Sequence, residues 1–213
     1  MRKRYKCFLT IIVVLIILII AITLYMRFFR KHPEEVTNIS NVVNNISKFN
    51  YTLDDRDSEL MKEEFNNLKK ILDKENIDYL EYAKSLSKLF VIDLYTIENK
   101  INKYDIGSIE YILDSEKDKF RNIILDSIYE NVLDNSSHER EQELPAVKSI
   151  NIDEIIESEY TNGENSVQSY EVKLSWDYIE ELGYDNKALI TLIKEDEKLF
   201  VVEYNQLKEE GVE

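Results

Sequence analysis

The chain has 213 residues, and its 27 Lys and Arg are outnumbered by 42 Asp and Glu, which gives a formal net charge of −15 at pH 7. The first 32 residues carry seven of the basic residues and no acidic one, so the remainder has 20 basic against 42 acidic residues, a net charge of −22. Nucleic-acid binding depends on cations that neutralise phosphates, so we expect no nucleic-acid partner. A single Cys excludes an intrachain disulfide, and four Gly and two Pro argue against a Gly-rich phosphate loop or a Pro-rich stalk.

The segment from Phe8 to Tyr25, FLTIIVVLIILIIAITLY, contains no charged residue, and 14 of its 18 side chains are Phe, Leu, Ile or Val. A helix of this length rises about 27 Å, close to the ~30 Å hydrocarbon core of a bilayer. We therefore predict one transmembrane helix over residues 8–26. A cleaved signal peptide is the alternative, but it needs a small-residue cleavage site, and this run ends in the bulky, basic TLYMRFFRKH.

Basic residues flank the apolar segment on both sides, four before it and three after it: Arg2, Lys3, Arg4 and Lys6, then Arg27, Arg30 and Lys31. Cytoplasmic flanks carry the excess of positive charge, so this small margin favours a cytoplasmic N-terminus. We predict a single-pass protein of the cell membrane, with a cytoplasmic stub at residues 1–7 and an extracytoplasmic C-terminal domain. Anionic lipid headgroups repel so acidic a domain, and we expect it to stand off the membrane on its linker.

Residues 27–52 are polar and rich in Asn, which predicts a linker with room for one short strand. Residues 53–76 have apolar side chains at helical spacing, and we predict a stalk helix there, capped by Asp54 or Asp57. The acidic run Asp54–Glu59 superficially resembles a calcium loop. It lacks the Gly at the sixth position and the downstream Glu in register, so a capped helix start is the better interpretation.

Two further helices are expected between residues 77 and 132. Apolar residues recur at three and four positions from Ile77 to Ile101, which predicts a long helix, and Gly107 indicates where the chain stops or turns. A short helix or turn follows at Ser108–Leu113, then a helix at Glu116–Val132, and residues 136–145 form a loop. The side chains expected to face the core from the Glu116–Val132 helix are Phe120, Ile123, Ile124, Ile128 and Val132.

The period then changes to two, which is typical of strands with one buried and one wet face. The best example is Val167–Tyr178, where Tyr170, Val172, Leu174, Trp176 and Tyr178 alternate with polar residues. The other predicted strands are Ala146–Tyr160 and a hairpin of Ala188–Lys194 and Lys198–Tyr204. Helices first and an antiparallel sheet afterwards predict an α+β fold, with helices packed on a curved sheet over residues 77–207. Residues 208–213 are predicted to be a disordered tail.

This order of parts resembles the cone fold of proteins like nuclear transport factor 2, and in particular the inner-membrane scaffold subunit of type IV secretion and conjugation systems. The residues that carry the resemblance are SLSKLFVIDLYTIENKINKYDIGSIEYI (Ser85–Ile112) and the strands YEVKLSWDYI and ITLIKEDEKLFVVEY within Tyr170–Tyr204. The match covers about residues 77–207 and is one of pattern rather than of motif. It implies a cone-type fold and a non-enzymatic role in assembly or interaction within the cell envelope.

Some cone-fold relatives are isomerases or dehydratases with an Asp or Tyr inside the cone. By that resemblance the candidate cavity residues here are Asp93, Tyr95, Tyr170, Trp176 and Tyr178. The simpler interpretation is that the aromatic side chains fill the interior as core. We expect no catalytic residue, metal site or cofactor, because both His residues lie in polar surroundings and no CxxC, HExxH or phosphate-loop motif is present.

Between two predicted strands lies the loop YIEELGY, which is aromatic and acidic. Aromatic side chains are enriched at interfaces, so Tyr178, Glu180, Glu181 and Tyr184 are candidate partner contacts; a solvated turn is the alternative. The sequence therefore predicts a membrane-anchored, non-catalytic subunit or adaptor of an envelope assembly. Its expected partners are proteins of the cell envelope, and a second copy of itself is one candidate. A module for a small apolar ligand and a cone-fold enzyme are the alternatives.

Overall fold

The computed structural model describes Leu18, residues 40–163 and residues 165–207. The chain divides into two compact units, Met1–Thr37 and Asn38–Glu213. Within the described residues, no helix is long and apolar enough to cross a membrane. Apart from Leu18, which is helical, the predicted stub at residues 1–7, the predicted transmembrane helix at 8–26 and the predicted tail at 208–213 lie outside the described residues.

The second unit is an α+β domain in which three helices pack on a curved antiparallel sheet, which confirms that part of the prediction. Two short 3₁₀ turns lie at Ile109–Tyr111 and Asp114–Glu116. The helices and strands, in chain order, are β1 (Val42–Ile46), β2 (Tyr51–Asp54), α1 (Glu59–Leu72), α2 (Tyr79–Tyr95), α3 (Lys117–Leu125), β3 (Val147–Asn162), β4 (Asn165–Tyr178), β5 (Lys187–Glu195) and β6 (Lys198–Gln206).

The folded domain begins earlier than the sequence suggested. Strands β1 and β2 form an antiparallel hairpin within the expected linker, and its turn contains Asn50 in the left-handed region at φ 54°. Ile46, Phe49 and Tyr51 of this hairpin are buried in the same core as the helices. The hairpin is therefore part of the domain, because its alternate apolar side chains have a core to enter.

Helix α1 is also part of that core rather than a separate stalk. It begins after Ser58, whose hydroxyl accepts a hydrogen bond from the backbone N–H of Met61 at 3.1 Å, so Ser58 is the N-cap in place of Asp54 or Asp57. Its buried side chains include Phe65 and Leu68, and the helix packs along α2. A narrow apolar face on a short helix is stable in water mainly through such tertiary packing.

Helix α2 is the central helix and ends at Tyr95, six residues before the predicted limit. Asp78 caps its start, where the side chain accepts from Leu80 N and Glu81 N. The chain after α2 then turns back onto the helix: a Cβ added at Gly107 would lie 2.2 Å from the carbonyl oxygen of Asp93. Gly107 is thus the point where the returning loop touches the helix backbone.

Helix α3 covers only the first half of the segment predicted as helical. It ends at Leu125, and Ile123, which was expected to face the core, is 55% exposed. Ile124 takes the buried position, and after the helix Tyr129 fills the core and donates its hydroxyl to Leu94 O at 3.0 Å. The prediction for Ile123 was wrong because a short helix buries only a narrow part of its apolar face.

The sheet has the order β3-β4-β5-β6, with antiparallel neighbours throughout. The predicted core face of β4 is confirmed: Tyr170, Val172, Leu174, Trp176 and Tyr178 are all buried. Register shifts at Val147/Ser149 and Ile152/Glu154 in β3, and opposite Thr191/Leu192, where Val202 of β6 is the extra residue, mark bulges, which bend and twist strands. Helix α2 packs on this face, so the core lies between α2 and the sheet.

Strands β3 and β4 continue beyond their neighbours. The pairing of β4 with β5 runs only between Ser169 and Ser175, whereas the pairing of β3 with β4 extends to residues 162 and 165 around the turn at Gly163. In the described part of the chain, residues 159–162 and 165–168 therefore belong to strand segments that pair only with each other. We call residues 153–171 the β3–β4 ribbon.

Candidate functional site

Four of the five predicted cavity residues are core side chains. Tyr95, Tyr170, Trp176 and Tyr178 are each at most 4% exposed. Three of the rings contact one another: the centroids of Tyr95 and Trp176 are 4.9 Å apart, and those of Trp176 and Tyr178 are 6.5 Å apart. Aromatic pairs at these separations are stabilising, so the interior of the sheet is filled by its own side chains.

Hydroxyl groups within this cluster hydrogen-bond inside the chain. The hydroxyls of Tyr95 and Tyr204 share a hydrogen bond, and Gln206 Nε2 donates to the Tyr95 hydroxyl at 2.9 Å. The Tyr178 hydroxyl donates to Asp185 O at 2.5 Å. Burial raises the pKa of all three tyrosines, which keeps these hydroxyls protonated as donors at neutral pH. The cluster is therefore part of the core, and its hydroxyl groups are hydrogen-bonded within the chain.

Asp93, the fifth predicted cavity residue, lies elsewhere, in a polar pocket of about 180 Å³. This pocket is bounded by strand β2, the start of α1, the end of α2 and the loop that follows α2. Its lining is mainly charged and polar: Thr52, Asp54, Arg56, Asp57, Met61, Asp93, Asn99, Lys100, Asp105, Ile106, Gly107, Ser108, Ile109 and Glu110.

Asp93 is the centre of a clamp between α2 and the returning loop. Its carboxylate accepts from Lys100 Nζ at 2.5 Å and from the backbone N–H of Ser108. The two ion-paired side chains are 8% (Lys100) and 17% (Asp93) exposed. Burial by itself lowers the pKa of Lys100, but the Asp93 carboxylate more than compensates and the pKa is raised. Both oxygens of Asp93 therefore hold the returning loop against α2.

A second clamp joins the start of α1 to the same loop. Arg56 NH1 donates to Asn99 O at 2.7 Å and to the Asp105 carboxylate at 2.8 Å, and Asp105 also accepts from Ile101 N at 2.9 Å. Asn99 Nδ2 returns a hydrogen bond to Arg56 O at 3.2 Å. These bonds fix the geometry of the pocket wall, because each partner is held on two sides.

Two carboxyl groups of the pocket are shifted into the physiological range. Burial raises the pKa of Asp57 to about 6, and the carboxylate of Asp93 adds to the shift. Burial raises the pKa of Glu110 to about 7, although its carboxylate accepts from Thr52 Oγ1 at 2.9 Å and from Thr52 N at 3.1 Å, bonds that lower it. The pocket therefore changes charge between about pH 5 and pH 8.

Chemically, this pocket has the character of a structural network. Asp57 accepts from Asp54 N at 2.7 Å, and the other pocket carboxylates described above also have partners within the chain. Among the described residues, no group of three or more His, Cys, Asp or Glu is arranged to hold a metal ion. The arrangement makes the stability of the domain sensitive to pH, and it gives Asp93 a structural role.

The residues of the predicted partner loop differ in their exposure to solvent. Tyr178 is buried, and Tyr184 is half-buried against it, with ring centroids 6.4 Å apart. Glu180 and Glu181 are exposed, and so is Ile179 at 64%. Of the predicted contacts, only the two glutamates are freely available at the surface, because the tyrosines are used in packing.

The β3–β4 ribbon is a second exposed acidic surface, one that sequence reasoning did not single out. Residues 153–171 contain six acidic residues and no Lys or Arg. Ile156 is 49% exposed and Val167 is 39% exposed, although both lie on strands. Strand alternation places Ile156 on the same face as Tyr160, and Tyr160 is paired with Val167, so one face of the ribbon carries an apolar stripe. The stripe is bordered on β4 by Glu171, the partner of Ile156.

The opposite face of the ribbon carries carboxylates. Glu157 and Glu159 alternate with the apolar stripe along β3. Gln168 Nε2 donates to Glu157 at 3.2 Å, and Ser166 Oγ donates to Glu159 at 3.0 Å. Each of these bonds uses a single carboxylate oxygen and a neutral donor, so the negative charge of both residues faces solvent.

Comparisons with protein-family models, with curated proteins and with solved structures gave no match.

Proposed function

We propose that this chain is a single-pass membrane-anchored protein with an extracytoplasmic, non-catalytic interaction domain of cone type. Its role is that of a subunit or adaptor in an envelope assembly, such as a secretion or conjugation apparatus. The membrane anchor in this proposal is the uncharged segment Phe8–Tyr25. The observation that carries the interaction role is the filled interior of the domain.

Ligand-binding and catalytic cone proteins work through an open cavity lined by the sheet. Here the corresponding aromatic residues, Tyr95, Trp176 and Tyr178 among them, are buried against one another. Pockets for small ligands usually measure about 300–1,000 Å³ and are mainly apolar. The described polar pocket measures about 180 Å³ and its charged groups are paired within the chain. This favours protein binding over an apolar ligand or an isomerase-type substrate.

The surface best suited to a partner is the β3–β4 ribbon. Protein interfaces combine an apolar centre with a polar rim. The stripe of Ile156, Tyr160 and Val167 supplies the centre, and the glutamates beside it supply the rim.

Site-specific photocrosslinking tests the proposal on the full chain in membranes. A benzophenone amino acid replaces Val167 in the ribbon, and the control carries it at Ile123, which is also exposed but lies on α3. We expect a discrete protein adduct from position 167 and none from position 123. Equal labelling at both positions, or adducts to lipid only, would contradict an interaction role for the ribbon.

The anchor is tested separately. The full chain should stay in the membrane pellet after alkaline carbonate extraction, and a chain lacking residues 1–32 should be released. Protease added to the outside of intact cells should digest the domain if the N-terminus is cytoplasmic. Release of the full chain, or protection of the domain, would overturn the predicted anchor or its orientation.

A further inference from the structure

The free edge of the β3–β4 ribbon identifies the kind of partner. Resting on the proposed function, we propose that β3 receives an extended segment of a partner protein in which Lys or Arg alternate with apolar residues. The segment adds to the sheet as a further strand beside β3. The juxtaposition that carries this inference is an edge strand with carboxylates on one face and an apolar stripe on the other.

The first step is the edge itself. In the order β3-β4-β5-β6, strand β3 is terminal, and among the described residues it pairs with β4 alone. An edge strand presents a row of unpaired N–H and C=O groups to one side. An extended peptide that lies along such an edge gains main-chain hydrogen bonds, and its alternate side chains meet the two faces of the sheet.

The second step is the alternation along β3. Ile156 and Tyr160 point to one face, and Glu157 and Glu159 point to the other. Cross-strand neighbours interact directly, so apolar residues of an added strand would lie beside Ile156 and Tyr160. Its other side chains would lie beside the two glutamates, where opposite charge is favourable.

The third step is the absence of competing cations in the ribbon sequence. Residues 153–171 include no Lys or Arg, and the nearest one along β4 is Lys173, which is paired in register with Glu154 at the base of the ribbon. Glu157 and Glu159 therefore lie beyond that pair. A second copy of this chain would bring the same carboxylates against each other at the edge, which is unfavourable. A cationic segment is the occupant that the charges fit.

A defined peptide tests the inference. The probe is a fluorescein-labelled heptapeptide of alternating Lys and Val, titrated by anisotropy against the full chain in nanodiscs of zwitterionic lipid, so that the bilayer does not attract the peptide. We expect saturable binding that weakens as salt rises. An alternating Glu and Val peptide should not bind, and a block peptide with the same Lys and Val composition should bind at least tenfold more weakly.

The variants locate the binding site. Replacing both ribbon glutamates (Glu157→Gln with Glu159→Gln) should weaken binding by about fivefold, because two exposed charge pairs are lost. The matched control, Glu139→Gln with Glu141→Gln, removes the same charge from an exposed loop outside the ribbon and should leave binding unchanged. Circular dichroism on both proteins confirms that each one is folded.

A modified peptide separates strand addition from simple charge attraction. The N–H groups of the Val residues lie on one edge of the peptide strand and those of the Lys residues on the other. Two peptides, one N-methylated at every Val and one at every Lys, each lose the main-chain donors of one edge without a change of charge, and one of the two should not bind. Equal binding of the unmodified peptide and both methylated peptides, of the block peptide, or of the control and ribbon variants would overturn the proposal. A crosslink to protein at position 167 together with no binding of the Lys-Val peptide would reject this partner class and leave the proposed interaction role standing.

Discussion

Two acidic regions of this domain use the same type of side chain, a carboxylate, for opposite purposes. In the polar pocket, the carboxylates of Asp93 and Asp105 are ion-paired inside the chain, to Lys100 and Arg56. In the β3–β4 ribbon, the carboxylates share single hydrogen bonds with neutral side chains and face water. The acidic residues behind the net charge of −15 therefore include two groups, one that holds the fold together and one that remains available to a partner.

The difference follows from burial. A charge taken out of water must be paired, because its desolvation is otherwise uncompensated, and a charge left in water gains little from pairing. The comparison has a direct consequence for mutation: removing an ion-paired pocket carboxylate, Asp93 or Asp105, should damage stability and leave binding alone, whereas removing a ribbon carboxylate should do the reverse.

The largest effect is expected from Asp93→Ala. This change leaves the ammonium of Lys100 buried without its partner and frees the N–H of Ser108. Removing one member of a buried pair typically costs about 3–5 kcal/mol. Urea unfolding of the full chain in detergent, followed by the fluorescence of Trp176, measures the loss. The double change Asp93→Asn with Lys100→Met should recover part of it, and a loss below about 1 kcal/mol for Asp93→Ala would show that the clamp is not structural.

Gly107→Ala should have the next largest effect. The added methyl group would lie 2.2 Å from the Asp93 carbonyl oxygen, a backbone atom that cannot rotate away. Overpacking of this kind costs about 1–3 kcal/mol, and the loop must move outward from α2. Gly183→Ala is a useful comparison, because its Cβ meets nothing within 4 Å but its φ is 78°, so the cost there is backbone strain alone. Similar unfolding midpoints for Gly107→Ala and the unchanged protein would rule out close packing at this point.

The third largest effect is expected in the pH dependence of stability, which should differ between the two regions. The folded pKa values of Asp57 and Glu110 are raised to about 6 and about 7, so the folded state favours their protonated forms. The stability that they contribute is fully present below pH ~4 and is lost as the pH rises through about 7. Glu110→Gln should therefore be more stable than the unchanged protein at pH 8, by about 1 kcal/mol after allowance for solvent screening.

The same measurement on Glu157→Gln provides the control. Glu157 lies on the exposed ribbon, and its replacement should leave the slope of stability against pH between pH 5 and pH 8 unchanged. A Glu110→Gln protein that keeps the full slope over this range would show that Glu110 does not titrate there.

Much of the fold was predictable from the sequence, because periodicity reports burial directly. The alternation from Tyr170 to Tyr178 gave β4 and its core face, and the spacing of residues 77–101 located α2. The hairpin β1–β2 was less visible, since its polar, Asn-rich residues predict a linker and only Phe49, Tyr51 and Leu53 alternate. The hairpin joins the domain because helices later in the chain supply a core for its apolar side chains.

The candidate sites were harder to predict for a physical reason. Glu110 is one of 42 acidic residues, and nothing near it in sequence shows that a loop will bury it against Thr52. The acidic run of the ribbon could be counted in the sequence. Its exposure, however, depends on the β4–β5 pairing ending at Ser169 and Ile193, which is a matter of strand register. Periodicity shows which face of a strand is apolar, and tertiary pairing decides which end of it lacks a neighbour.

The smallest effect on stability is expected in the ribbon itself. Ile156→Ser removes an exposed apolar side chain at a position that pairs with Glu171 on β4. Such surface changes usually alter stability by no more than about 0.5 kcal/mol. The same change should reduce the yield of the crosslink from position 167, because it interrupts the apolar stripe in contact with the partner. Ile123→Ser on α3 is the matched control, equally exposed and outside the stripe. A loss of stability from Ile156→Ser as large as that from Asp93→Ala would show that the ribbon, like the pocket, holds the fold together. The contrast between the two regions would then fail.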